Sequence, residues 1–117
     1  MSKEKRDYIL FLEDILDALE KIENYTKNLS FVEFTDNSMA VDAVIRNFEV
    51  IGEATKNVPE EIKEKYPEVE WKEATGFRNV LIHDYFGIDL EAIWDTIKKN
   101  LLPFKKHVLK VLKSELY

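Results

Sequence analysis

Apolar residues return at steps of three and four through most of this chain. Between about Lys5 and Lys27 the series is Leu12, Ile15, Leu16, Leu19, Ile22 and Tyr25, with Glu13, Asp14, Asp17, Glu20 and Glu23 mostly on the other side. That is the period of an amphipathic helix, and no strand-like alternation of useful length competes with it. A second helix follows, capped by Asp36 or Asn37 and running to about Asn57, with Val41, Val44, Ile45, Phe48 and Ile51 as its stripe. Gly52 inside it costs helix stability, which points to close approach of another helix or chain. Pro59 with Glu60-Glu61 suits the first turn of a short third helix, and Pro67 stops it. Trp71, Ala74, Phe77 and Leu81 give a fourth helix ending near Gly87. Asp89 caps a fifth, with Ile88 and Ile93 placed as a hydrophobic staple and Leu90, Trp94, Ile97, Leu101, Phe104, Val108 and Val111 as its apolar face. Pro103 should kink or split that helix.

With 3 Gly and 3 Pro in 117 residues there is little material for a turn-rich β fold or a long linker. The expected architecture is all-α, an antiparallel bundle of about five helices with a kinked C-terminal helix, forming one domain over residues 1–117. The helices carry more apolar residues than one thin stripe needs. A homodimer through one bundle face accommodates the excess, and a fully internal core is the alternative.

Seventeen Lys and Arg against 23 Asp and Glu leave a net charge of −6, which argues against whole-surface attraction to nucleic acid or an anionic membrane. Any such contact has to be local. The one basic concentration is Lys98, Lys99, Lys105, Lys106, Lys110 and Lys113, in a stretch without acidic residues. It reads as an RNA-backbone strip or as a solvated face balancing the acid-rich Glu49–Glu73 region. No cysteine is present, which excludes disulfides, thiolate metal sites and a cysteine nucleophile and is compatible with the cytoplasm. The charged N-terminus MSKEKRD and the short apolar run from Tyr8 to Leu12 fit neither a signal peptide nor a membrane span, so a soluble, unprocessed chain is expected.

There is no glycine-rich phosphate loop, nucleophile elbow or zinc spacing, and the histidines are His83 and His107 alone, so no metal is expected. Chemistry concentrates instead in Gly76–Gly87, which holds Arg78, Asn79, His83, Asp84 and Tyr85 at one helix end. The Arg78 guanidinium suits phosphate oxygens. His83 falls where the helix dipole favours the protonated ring while a nearby guanidinium opposes it, a balance suited to general acid or base work. Residues five apart on an ideal helix point about 140° apart, whereas Asn79 and His83, four apart, share a face. Two copies of this helix end around one cleft would supply both an acid and a base. By spacing alone, ordinary surface or ion-pair roles stay open for Arg78, Asp84, His83 and Tyr85. Arg46 with Glu49 and Glu53 is a further candidate, as a secondary site or, more simply, a helix-surface ion-pair set. His107 reads as a plain surface or interface residue.

The run Arg78-Asn79-Val80-Leu81-Ile82-His83-Asp84-Tyr85 resembles the R-x4-H-x-Y signature of HEPN-domain toxins of the HepT type. The resemblance extends through Arg46–Ala54, the Trp71 lead-in, Phe86-Gly87-Ile88-Asp89 and the Trp94–Pro103 run, nearly the whole chain. It implies an all-helical, homodimeric, metal-independent endoribonuclease, the toxin of a type II/VII-like prokaryotic toxin–antitoxin pair. It also implies a site at the dimer cleft made by Arg78 and His83 with Asn79 in support. The partner it implies is a minimal nucleotidyltransferase antitoxin that uses ATP to place AMP on Tyr85, the toxin itself needing no cofactor. RNA carries its own nucleophile, so cleavage by the 2′-hydroxyl needs a base, an acid and positive charge on the transition state, and gives a 2′,3′-cyclic phosphate. The alternative is a non-catalytic helical module that binds a nucleotide or a protein.

Overall fold

The computed structural model describes residues 1–77 and 87–117. Seven helices lie among the described residues: α1 (Lys3–Thr26), α2 (Phe31–Thr35), α3 (Ser38–Asn57), α4 (Glu60–Lys65), α5 (Trp71–Thr75), α6 (Leu90–Lys99) and α7 (Leu101–Leu116). No strand occurs among the described residues, so the all-α expectation holds.

Ser2 starts α1 by accepting from Lys5 N at 3.1 Å. Its buried face is Ile9, Leu12, Ile15, Leu16, Ala18, Leu19, Ile22 and Thr26. Tyr25, counted into the stripe from spacing, is exposed instead. Thr26 takes the last core position because its Oγ1 donates back to the Ile22 carbonyl (2.8 Å), which makes a polar residue acceptable there. The connection to the next long helix contains a turn of helix that apolar spacing alone does not reveal. Ser30 and Glu33 form a capping box, and Phe34 drops into the core.

Of the two cap candidates for α3, Asn37 is the one used, through Oδ1 to Ala40 N (3.0 Å). Val44, Phe48 and Ile51 are buried as expected, whereas Val41 and Ile45 lie only partly buried at the edge, and Ala40, Asn47 and Thr55 share the inner face. Gly52 is buried. Pro59 is the residue before the first turn of α4 rather than inside it, and α4 ends at Lys65, before Pro67.

The fifth expected helix is two. Asp89 caps α6 through Oδ1 to Ala92 N at 3.0 Å, and the helix breaks at Asn100, three residues before Pro103. That offset is what proline imposes, since its ring crowds the carbonyl four residues back and its missing N–H removes the bond that would carry the helix across. Ile88 stays 49% exposed while Ile93 is fully buried, so any staple between them is partial.

α1 packs most extensively on α3 and next on α7, while α5 leans on α3 and α6 on α7. Lys105 at the start of α7 pairs with Glu23 near the end of α1 (3.0 Å), and Tyr8 at the start of α1 donates to Glu115 at the end of α7 (2.6 Å), so the two run antiparallel. Every described helix contributes to one continuous apolar cluster.

Candidate functional site

Arg78, Asn79, His83 and Tyr85 lie outside the described residues, as does Asp84. The structure fixes what holds the two ends of their segment. At the leading end, the Trp71 indole N–H donates to the Tyr66 carbonyl (2.9 Å) and α5 carries the chain to Phe77. The Phe77 ring is buried between Phe48 of α3 and Phe104 of α7, edge to face with both, at centroid separations of 5.5 and 5.9 Å.

At the trailing end Gly87 has a φ of 112°, a region that L side chains rarely adopt, and the Asp89 cap follows two residues later. Trp94, one turn into α6, packs on Phe34 (5.2 Å) and Phe31 (6.0 Å), with the Lys98 ammonium 4.5 Å from its ring centroid. The described elements on either side, α5 with Phe77 and α6 with Trp94, are thus packed on the rest of the fold by aromatic contacts.

Next to Phe77 is a small cavity of 130 Å³ lined by Glu70, Glu73, Lys99, Asn100, Pro103 and Phe104. His107, expected to be a plain surface or interface residue, is engaged close by, its Nδ1–H donating to Glu70 Oε1 at 2.5 Å. Sequence spacing gives no signal for this pair, because the partners are 37 residues apart.

The lysine strip divides in three dimensions. Lys98 lies over Trp94, and Lys105 is held by Glu23. Lys106, Lys110 and Lys113 share one exposed side of α7, and Lys99 borders the small cavity. Arg46, Glu49 and Glu53 are exposed, and no ion pair within 4.0 Å joins them, so the simple ion-pair expectation for that set does not hold.

A larger cavity, 740 Å³, lies elsewhere. It is lined by Glu4, Asp7, Tyr8, Phe11, Glu61, Lys65 and Glu115, among others. Glu115 lies eleven residues beyond Phe104, roughly 16 Å farther along α7. Four carboxylates make this groove a poor host for phosphate. Glu115, 7% exposed, accepts hydrogen bonds from Tyr8 (2.6 Å), Lys65 (2.8 Å) and Tyr66. Burial pushes its carboxyl up, but the hydrogen bonds from Lys65, Tyr66 and Tyr8 and the Lys65 charge outweigh burial and hold it at about 2. Burial, then the bond to Glu115, pushes the Tyr8 hydroxyl up to about 12. This cluster ties the two ends of the chain together, and its geometry is that of a clasp. Among the described residues no group of His, Asp and Glu is placed to hold a metal ion, and no helix is long and apolar enough to cross a membrane.

The whole fold is similar to that of the Shewanella oneidensis HEPN toxin solved in tri-AMPylated form with an MNT antitoxin. The TM-score is 0.65 at 17% identity, covering 97% of this chain and 99% of that one. The fold is therefore the all-helical HEPN fold. The ribonuclease HepT-like family model matches residues 15–111, and the chain belongs to that family. A Methanocaldococcus jannaschii protein named as a candidate RNase is 46% identical over 110 residues, 94% of this chain and 91% of the relative. A Thermococcus cleftensis protein named "Probable ribonuclease HepT" is 42% identical over 101 residues, 86% of this chain and 92% of the relative.

Proposed function

We propose that this chain is a ribonuclease toxin whose site is assembled where two copies bring their 78–86 segments together. The observation that carries the reading is the HepT-like family match across residues 15–111, which spans the Arg78, His83 and Tyr85 motif positions. The aromatic anchoring of both flanks supports it, because a site on a connecting segment needs rigid ends.

In this reading the RNA 2′-oxygen attacks the adjacent phosphorus while one His83 takes its proton. The 5′-oxygen leaves with a proton from the His83 of the second copy, giving a 2′,3′-cyclic phosphate and a 5′-hydroxyl. Arg78 offers two N–H donors to the non-bridging oxygens as charge builds on them, and Asn79 helps to hold the phosphate. No metal takes part. A minimal nucleotidyltransferase antitoxin is the partner, as supported by the complex in which the Shewanella oneidensis toxin was solved. Control follows when the Tyr85 phenolic oxygen attacks the α-phosphorus of ATP, with pyrophosphate leaving. The resulting AMP adds bulk and negative charge two residues from His83, against the Arg78 that would otherwise meet substrate phosphate.

The test is cleavage of RNA before and after incubation with the cognate nucleotidyltransferase and ATP, followed by intact mass. Wild type should gain AMP and lose activity. Tyr85→Phe should keep its activity and escape neutralisation, and a Tyr85→Phe protein that is still fully silenced would remove Tyr85 as the control point.

A further inference from the structure

Leu102, Leu109 and Leu116 follow one another at seven-residue intervals on α7 and remain 54, 38 and 43% exposed. Round the helix axis they fall within about 40° of each other, a row about 21 Å long. Single exposed leucines are ordinary, but a row at heptad spacing is the pattern that packs against another helix. The lysines beside it are all of one sign. Lys106, Lys110 and Lys113 border the row on one side, are exposed, and join no ion pair among the described residues.

We propose that the outward face of α7 is a docking surface for an acidic amphipathic helix of a partner protein. Charge complementarity selects this occupant. A second copy pairing through the same face would set lysine against lysine. The outward face of α1 has the right charge, with Glu13, Asp14, Asp17 and Glu20 exposed, but its large exposed apolar residues are Leu10 and Tyr25, too far apart to form a matching row. RNA would satisfy the lysines and leave three leucines pressed against a phosphate backbone. A helix with leucines at the same interval and glutamates beside them answers both features at once. This surface is independent of the nuclease reading, since it uses none of the motif residues.

The probe is a labelled helical peptide of about five turns with leucines at seven-residue intervals flanked by glutamates, titrated by fluorescence anisotropy into the full chain. A peptide with lysines in place of the glutamates and a single-stranded RNA serve as competitors. The expected result is saturable binding of the acidic peptide, weakened about tenfold or more by Leu109→Gln with Leu116→Gln, and equally by Lys106→Glu with Lys110→Glu and Lys113→Glu. Circular dichroism of both variants should match wild type, since every changed residue is exposed. Absent binding, or binding indifferent to both sets of changes, overturns the proposal. RNA that displaces the peptide and depends on the lysines alone assigns the face to nucleic acid instead. Loss of self-association in the leucine variant, read by light scattering, assigns it to a second copy.

Discussion

Glu115 shows how much one side chain near the end of the chain can decide. It is buried, accepts hydrogen bonds from three donors, and would be costly to leave charged without them. Because its carboxyl is held at about 2 against an ordinary 4.5, its contribution to stability is complete above pH 4.5 and is lost as the pH falls towards 2. That gap corresponds to at most about 3 kcal/mol. Urea unfolding across this range should therefore show an acid limb that Glu115→Gln flattens, with a lower plateau at neutral pH. An unchanged limb would remove Glu115 as its source. The raised Tyr8 hydroxyl acts oppositely, adding stability below pH 10 that is lost as the pH rises through about 12. Gly87 is the other residue with an outsized role. Among the described residues nothing lies within 4 Å of where a Cβ would sit, so the positive φ sets the cost of Gly87→Ala at about 1–3 kcal/mol. Thermal unfolding of Gly87→Ala should show that loss, and an unchanged midpoint would mean that the positive φ is not required.

Among the elements, Phe77 joins α5 to the two long helices and delivers the chain to the motif. Phe77→Ala should cost about 3–5 kcal/mol in denaturant unfolding and lower RNA cleavage even where the protein remains folded. Phe77→Leu, which keeps most of the volume, should lose less of both. Full activity in a folded Phe77→Ala protein would show that the motif does not depend on its leading anchor. The helices with strong apolar periods were legible in the sequence because burial of one face dominates their energetics, and Asp89 was legible because a cap is a local interaction. α2 left its signal in the Ser30 and Glu33 spacing, which apolar counting passes over. The break falls at Asn100 and not at Pro103 because proline acts on the turn before it. Tyr25 yields the last core position to Thr26, whose hydroxyl satisfies itself within the helix and so competes as well as an apolar ring. The His107–Glu70 pair and the Glu115 clasp join residues far apart in sequence, and only the tertiary fold brings them together.

At the scale of the molecule, charge is distributed to suit a split role. The net −6 is concentrated away from α7, and the 740 Å³ groove at the Glu115 end is lined by carboxylates. In the proposed reading, substrate phosphate is met by Arg78, which follows Phe77 in sequence, and not in the carboxylate-lined groove. The paired histidines of the proposed reaction require two copies, so light scattering should give twice the 13.8 kDa chain mass. An active monomer would contradict the shared site.

The most direct measurement is cleavage of a mixed RNA substrate in EDTA by unmodified wild type beside folded Arg78→Ala and His83→Ala, with the product ends identified. Wild type should give 2′,3′-cyclic phosphate products and neither variant any. No cleavage by wild type, or equal cleavage by all three, would contradict the proposed reaction.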